Sequence, residues 1–354
     1  MPENKGTHAR YSNREEVTHS ISIQKELEIA PLGAEHLEKA AVLVAERYRD
    51  ERARNPLLYD KYENVATVRP LLDYNREKQA GVAAVRSGEV VGFITSLPFS
   101  NWGIPAVWMP DWGHGAVKAD REYLYRRMYA ALAEWWMERG HLKHAVTTFA
   151  GEHDILDTWF SMGFGMTNID TLRDVSALPG PVDDVEMRQA GPGDFDTLMK
   201  FRDSLCVHLT STPVFQFIPS EAREKSAEEF RKQLVDENLA VWLACENGKV
   251  TGCMRVIPSS QCDFRMPTVD KSICGISMAF TEEANRLRGV GTALLDRVLK
   301  WAREKDYTRC GVDFESANIP ASRFWLTHFR QVCYTLFRDI DSRILQSQPG
   351  GVSK

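Results

Sequence analysis

The 354-residue sequence predicts an α+β (α/β layered) fold built twice in tandem, each copy a mixed, mostly antiparallel sheet flanked by helices. Three observations predict it. A strand, two helices, a β-hairpin, a helix and a strand follow one another, and the same series then comes again. Sliding the chain by 165 residues aligns Arg121 with Arg286, Trp136 with Trp301, Phe149 with Phe314, Phe164 with Phe329 and Arg173-Asp174 with Arg338-Asp339, without a gap. Sliding it by 160 pairs Ala84, Gly88, Val90, Gly92 and Pro98 with Ala244, Gly248, Val250, Gly252 and Pro258, so the second copy carries five extra residues between these windows. Finally, Ser176-Ala177-Leu178-Pro179-Gly180-Pro181 is a proline- and glycine-rich stretch that separates the copies. The expected division is a loose N-terminal segment 1–22, a first domain 23–176, a linker 177–183, a second domain 184–345 and a loose tail 346–354.

In the first copy the elements read as a strand at 27–31, helices from Glu35 and near Val68, a hairpin over 82–98, a helix over 121–139 and a strand over 144–149. Between the hairpin and the helix lies a segment with Trp102, Trp108 and Trp112. Aromatics at this density either line an apolar substrate pocket or pack a core or domain interface. The second copy reads as a strand at 185–189, helices from Asp194 and Ser220, a hairpin over 241–258 and a strand over 273–280. Leu294, Leu295, Val298, Leu299 and Ala302 then recur at helical spacing as far as Glu304, and a strand follows at 309–315.

The turn between that strand and that helix, Asn285-Arg286-Leu287-Arg288-Gly289-Val290-Gly291, has the composition of a phosphate cradle. Gly289 and Gly291 lack a Cβ, so the main chain can take unusual dihedrals and bring its N–H groups close to an anion. The first turn of the following helix adds unpaired donors and the positive end of a dipole. Arg286 and Arg288 supply charge-assisted hydrogen bonds to phosphate oxygens. A surface turn with two arginines and two convenient glycines would read the same way in isolation.

Residues further along the chain narrow the choice. After the strand at 309–315 come Asn318 and then Ala321-Ser322-Arg323-Phe324-Trp325-Leu326-Thr327-His328-Phe329. Here the sequence resembles the GNAT superfamily of acetyl-CoA-dependent acyltransferases. Its glycine motif is matched by Arg286, Gly289 and Gly291, and its later pattern by Asn318, Ala321, Phe324-Trp325 and Phe329. His328 stands where glycine is usual, and Trp325 where the family often has the tyrosine that protonates the departing thiolate. The resemblance implies two tandem GNAT-like domains, with acetyl-CoA as cosubstrate. It implies a cofactor site of Ala279, Phe280 and Thr281 on the strand, Arg286, Leu287, Arg288, Gly289, Val290, Gly291 and Thr292 in the turn, and Asn318 and Ser322 beyond it. In the first copy Leu124 and Arg126 replace the two glycines and His153 replaces Asn318, so that copy is expected to be degenerate and structural.

The implied reaction is direct transfer of an acetyl group to an amine. The strand at 274–280 has no acid in the place where many family members keep one. Asp313 and Glu315 share a face opposite Val312 and Phe314, and Glu315, nearer the strand's exit, is the nominated general base. For the acid, Tyr334 is the nearest phenol in sequence, and a water serves equally.

Composition bounds the alternatives. A formal net charge of -5 and no apolar run near ~18 residues argue against nucleic-acid and membrane partners. The expected partner is a small-molecule amine, and the chain a monomer or homodimer. The seven cysteines include no Cys-x-x-Cys pair, and no His-Glu-x-x-His occurs, so free thiols and no metal are expected. The polar first 20 residues lack a hydrophobic signal core, which reads as a reducing cytoplasm. Two other classes stay open: a non-catalytic acyl-CoA-binding or sensing protein, and a dinucleotide enzyme. The last is disfavoured because Thr292, Ala293 and Leu294 follow Gly291 without a third glycine.

Overall fold

The structure, a computed structural model, describes residues 27–76, 80–101, 103–180, 184–219, 227–228, 230–232, 234–262 and 265–346. Segment 1–22, Trp102, the helix expected from Ser220, residues 181–183 of the linker and tail residues 347–354 lie wholly or largely outside the described residues.

The first half runs β1 (Leu27–Pro31), α1 (Leu37–Arg54), α2 (Val65–Arg76), β2 (Gly81–Arg86), β3 (Glu89–Thr95), β4 (Leu97–Asn101), β5 (Ile104–Met109), β6 (His114–Ala116), α3 (Arg121–Glu138), β7 (Lys143–Phe149), α4 (His153–Ser161) and β8 (Gly165–Asp174). The second runs β9 (Glu186–Gln189), α5 (Phe195–Thr210), β10 (Ala240–Glu246), β11 (Lys249–Pro258), β12 (Ile273–Thr281), α6 (Val290–Glu304), β13 (Arg309–Glu315), α7 (Ile319–His328) and β14 (Arg330–Asp339). The strands form a small sheet, β1-β2-β3-β6, and a large one, β4-β5-β7-β14-β8-β13-β12-β11-β10-β9. Among the described strands, only β5–β7 and β12–β13 pair in parallel.

The repeat expected from the sequence is visible in backbone detail. Both hairpins turn on two residues with positive φ, Ser87-Gly88 (52° and 81°) and Asn247-Gly248 (51° and 75°), the combination that suits the twist of the flanking strands. Both are bulged at the same step, Ala84/Val85 and Ala244/Cys245, which lie 160 residues apart. On one side of the large sheet α3, α4, α6 and α7 share a core that includes Trp136, Trp159, Leu294, Trp301 and Trp325. On the other side α5 sets Leu198 and Phe201 against Leu243, Cys253 and Met278. Helix α6 forms because Leu294, Leu295, Val298, Leu299 and Ala302 make one buried stripe, each large side chain contributing at most ~1.5–3 kcal/mol. Truncating Leu299 alone would cost about 2–5 kcal/mol.

One arrangement was not legible in the sequence. Strand β14 lies between β7 and β8, and β8 lies between β14 and β13, so each half's last strand completes the sheet of the other. Leu172 pairs with Arg330 and Gly165 with Phe337, and the 165-residue offset carries either pair into the other. A pseudo-twofold axis therefore passes between Ile169 and Tyr334, which face each other. The proline- and glycine-rich stretch separates the copies along the chain but not in space.

Trp108 and Trp112 of that segment pack inward. Trp108 donates from Nε1 to Thr147 Oγ1 at 2.9 Å, and Trp112 is buried with Leu43, Val44 and Phe93 under α1.

Candidate active site

Strands β12 and β13 pair from Ile273/Arg309 to Ile276/Val312 and then part. Beyond Ile276 the far edge of β12 still bonds β11 as far as Thr281, while its near edge pairs with no described strand. The splay opens a cleft of about 690 Å³. Its floor is apolar, with Met254, Ala279, Phe280, Leu294, Phe324 and Trp325, and its mouth is polar, with Thr281, Asn285, Arg286, Thr292 and Arg323.

The turn at the mouth has two residues in the left-handed region, Leu287 at φ 61° and Gly289 at φ 76°. For Leu287, 96% exposed, that conformation costs about 1–2 kcal/mol with no burial to offset it. The effect is to delay the helix, since α6 starts only at Val290 and Gly289 is its N-cap. Among the described residues, none accepts a hydrogen bond from the main-chain amides of 287–292; the first amide of this run to find a partner is that of Ala293, bonded to the Gly289 carbonyl at 2.9 Å. No acid occupies the first turn of α6, so nothing there competes for its dipole. A Cβ on Gly291 would meet the Phe324 ring at 3.4 Å, so the glycine keeps a passage open between α6 and α7.

The nominated cofactor residues divide. Ala279, Phe280, Thr281, Arg286, Leu287, Gly289, Gly291, Thr292 and Asn318 line the cleft. Arg286 donates from Nε to the Thr281 carbonyl at 3.1 Å. Arg288, Val290 and Ser322 do not line it. Arg288 is turned to Glu246, with Nη2 to Oε1 at 2.7 Å, because that exposed carboxylate stands across the turn and is also held by Asn285. Val290 is 7% exposed and packs into the core, and Ser322 Oγ donates to the Ser316 carbonyl at 3.3 Å.

Neither nominated catalytic residue, Tyr334 or Glu315, lines the cleft. Tyr334 lies on the pseudo-twofold axis, 9% exposed, with β8 and β13 between it and the splay, and burial pushes its phenol up. It has no position from which to protonate a thiolate in the cleft. Glu315 is half-buried at the end of β13 and stands behind Asn318 rather than in the cleft lining. Burial is the main cause that raises its pKa, with Asp313 acting in the same direction and Asn318 and His208 against it.

Sequence reading missed His208. It sits in the last turn of α5, lines the cleft, and meets Asn318 Oδ1 from Nε2 at 3.1 Å. Asn318 is fixed in turn as the N-cap of α7, its side chain accepting from the Ala321 amide at 3.3 Å, with Pro320 in the first turn where an N–H is not needed. His328 also lines the cleft, its ring edge-on to Phe324 at 5.0 Å, and burial and Arg173 lower its pKa.

In the first half the equivalent space is filled. The 165-residue offset puts His114 at Ala279, Tyr125 at Val290 and Trp159 at Phe324; the glycines that precede α1 and α5, Gly33 and Gly191, put Arg47 at Leu205. Arg47 forms a bidentate pair with Glu152, Nε to Oε1 at 2.7 Å and Nη2 to Oε2 at 2.6 Å, and donates to the carbonyls of Asp111 and His114. His114 is 0% exposed and held by Tyr125 Oη and the Thr147 carbonyl, each at 2.8 Å. Leu124, where the second half has Gly289, is also 0% exposed.

Residues 207–329 match the acetyltransferase (GNAT) family. No curated protein matches the chain. By structure it is similar to a GCN5-related N-acetyltransferase from Sphaerobacter thermophilus, with a TM-score of 0.56 and 14% identity over 89% of this chain and 96% of that one. It is also similar to the glucosamine N-acetyltransferase region of a fungal multi-domain GH3 β-N-acetylglucosaminidase, with a TM-score of 0.50 and 15% identity over 88% of this chain and 38% of that one. A tandem GNAT protein from the clavulanic acid biosynthesis pathway matches at a TM-score of 0.45, with 16% identity over 89% and 98% of the two chains. Residues 207–329 thus carry the sequence pattern of that acetyltransferase family, and the chain has the fold of the Sphaerobacter protein along most of its length.

Proposed function

We propose that the protein is an acetyl-CoA-dependent N-acetyltransferase that moves an acetyl group directly to the amine of a small-molecule acceptor, with the chemistry in the second half. One observation carries this reading: the run of unpaired amides at 287–292, at the acid-free N-terminus of a 15-residue helix, opens onto an apolar cleft between parted strands. Amides so placed suit a pyrophosphate. The unpaired edge of β12 suits the amide groups of a pantetheine arm and the oxygen of a thioester, where charge develops during transfer.

Direct transfer fits the side chains of the cleft. Cys253 lines it, but burial pushes its thiol up to about 12, so it is a protonated thiol and not an acyl carrier. Among the described residues no group of three or more His, Cys, Asp or Glu is placed to hold a metal. Every cysteine is a free thiol, which fits a reducing compartment, and no described helix is long and apolar enough to cross a membrane.

A second reading, a non-catalytic acyl-CoA-binding protein, is favoured by one observation, the absence of any described tyrosine from the cleft lining. Calorimetry with acetyl-CoA, followed by a thiol-release assay over butylamine, glucosamine, lysine, spermidine and kanamycin, separates the two. Saturable binding with amine-dependent thiol release supports the transferase. Binding without release under any amine selects the second reading, and no binding overturns both.

A further inference from the structure

We infer that His208 is the general base that takes the proton from the acceptor's ammonium group, an assignment that rests on the transferase reading above. At the start of α7 the Asn318 oxygen accepts from the Ala321 amide, so Oδ1 and not the NH2 group faces that helix. The same oxygen is 3.1 Å from His208 Nε2 and can only accept, so Nε2 carries the hydrogen. In the neutral form of the ring that leaves Nδ1 with the lone pair, on a residue that lines the cleft. A helix cap thereby sets the tautomer of a ring on another element. Asn318 also hydrogen-bonds Glu315, so imidazole, amide and carboxyl group stand in one line.

The charged and titratable groups of the cleft lining, with Glu315 behind it, come from four elements. They are Glu315 on β13, Cys253 on β11, Arg286 in the turn, and Arg323 and His328 on α7. Of these, His328 is the other imidazole, and it makes no described contact with Asn318 or Glu315.

In the step, His208 Nδ1 accepts one proton from the ammonium, leaving a neutral amine. The amine's lone pair forms a C–N bond to the thioester carbon, and the C–S bond breaks. The proton then lost by the amide nitrogen is taken up by the CoA thiolate, and His208 returns its proton to solvent. Amide, CoA thiol and one solvent proton are the products, so no separate acid is required of the protein.

The test is the pH dependence of kcat/KM for whichever amine of the five-member panel the wild type acetylates fastest, in wild type, His208→Gln and His328→Gln. Glutamine at 208 keeps a donor for Asn318 but has no basic nitrogen. The expected result is an acid limb in the wild type, lost in His208→Gln together with a ~10²- to 10⁴-fold fall in rate, while its acetyl-CoA affinity stays within about twofold and its Tm within a few degrees. His328→Gln keeps the limb. If His208→Gln keeps both rate and limb, or His328→Gln removes the limb, the assignment is wrong and the transferase reading stands. If acetyl-CoA binds but none of the five amines is acetylated, both are withdrawn.

Discussion

Helix α3 starts at Arg121 and its counterpart α6 at Val290, which the 165-residue offset places at Tyr125, one turn further along. That turn decides what the amides do. In the first half the Leu124 amide bonds the Asp120 carbonyl at 3.0 Å and the next three lie inside the helix; in the second half the equivalent amides have no described partner. Beneath the turn, the first half places an arginine–glutamate pair, a histidine and a tyrosine, and the second half leaves a cleft. The same order of strands and helices thus yields a filled wedge or an open cleft. What differs is where one helix begins and whether α1 or α5 supplies a long polar side chain beneath it.

The comparison breaks most sharply with a reciprocal pair of substitutions. Leu124→Gly should destabilise the protein by about 3–6 kcal/mol, a buried-leucine cavity plus the helix penalty of glycine, and leave acetyl-CoA affinity unchanged. Gly289→Glu should lower that affinity a hundredfold or more, by adding negative charge to the cradle at a positive φ, with a stability loss of only ~1–2 kcal/mol. Urea melts and calorimetry read the two effects separately. Exchanged outcomes would mean that the halves have been assigned the wrong way round.

Next in size is the wedge itself. Arg47→Met leaves Glu152 buried and unpaired, at 5% side-chain exposure, and should cost about 3–5 kcal/mol. Adding Glu152→Gln should recover most of the loss. Acetyl-CoA affinity should stay within about threefold in both, since the pair stands away from the second-half cleft. A large affinity loss in the stable double variant would show that the first half frames the cofactor site.

How far the sequence carried this contrast can be judged residue by residue. The left-handed turn at Gly289 was legible because backbone conformation is a local property, and Leu124, buried at the equivalent position of the first half, differs there for the same reason. The repeat was legible down to the hairpin turns. The exchange of β8 and β14 was not, because a strand's pattern records that its faces are buried and not which strand lies beside it. Tyr334 shows the consequence, since it is close to α7 in sequence yet lies on the axis and not at the splay. Arg288 was misread because its partner, Glu246, lies 42 residues away, and His208 because nothing near it in sequence shows that α5 ends beside Asn318.

A pH titration tests the wedge more gently. His144 on β7 is held neutral between Tyr129 Oη at 2.9 Å and the His141 carbonyl at 3.1 Å, and burial lowers its pKa to about 4. His114 is shifted the same way, first by burial and then by Arg47. In the unfolded chain each takes up a proton near pH ~6.5. The unfolded state therefore binds more protons as pH falls below ~6.5, and the stability these rings contribute, full above that pH, is lost as it falls, for His144 down to about 4. For His144 the loss approaches ~3 kcal/mol. Urea melts of His144→Gln should show a shallower decline over the window than wild type, and an equal slope would mean that the ring is not held neutral.

The smallest effect concerns the open half. Arg288 is committed to Glu246, yet both side chains are exposed, at 56% and 43%, and an exposed pair holds weakly. Glu246→Gln keeps an acceptor for Asn285 while removing the charge that holds Arg288. Released, the guanidinium lies on the turn beside the unpaired amides, within a Debye length of any phosphate bound there. Acetyl-CoA affinity should then rise by roughly two- to fivefold at low salt, the range an exposed ion pair commands, and the gain should shrink at high salt. Calorimetry at ~0.02 M and ~0.5 M salt measures both. An affinity that does not rise would restrict the cradle to Arg286 and the main chain, leaving Arg288 as a brace that holds the turn against β10 so that the helix cannot begin a turn earlier, as it does in the first half.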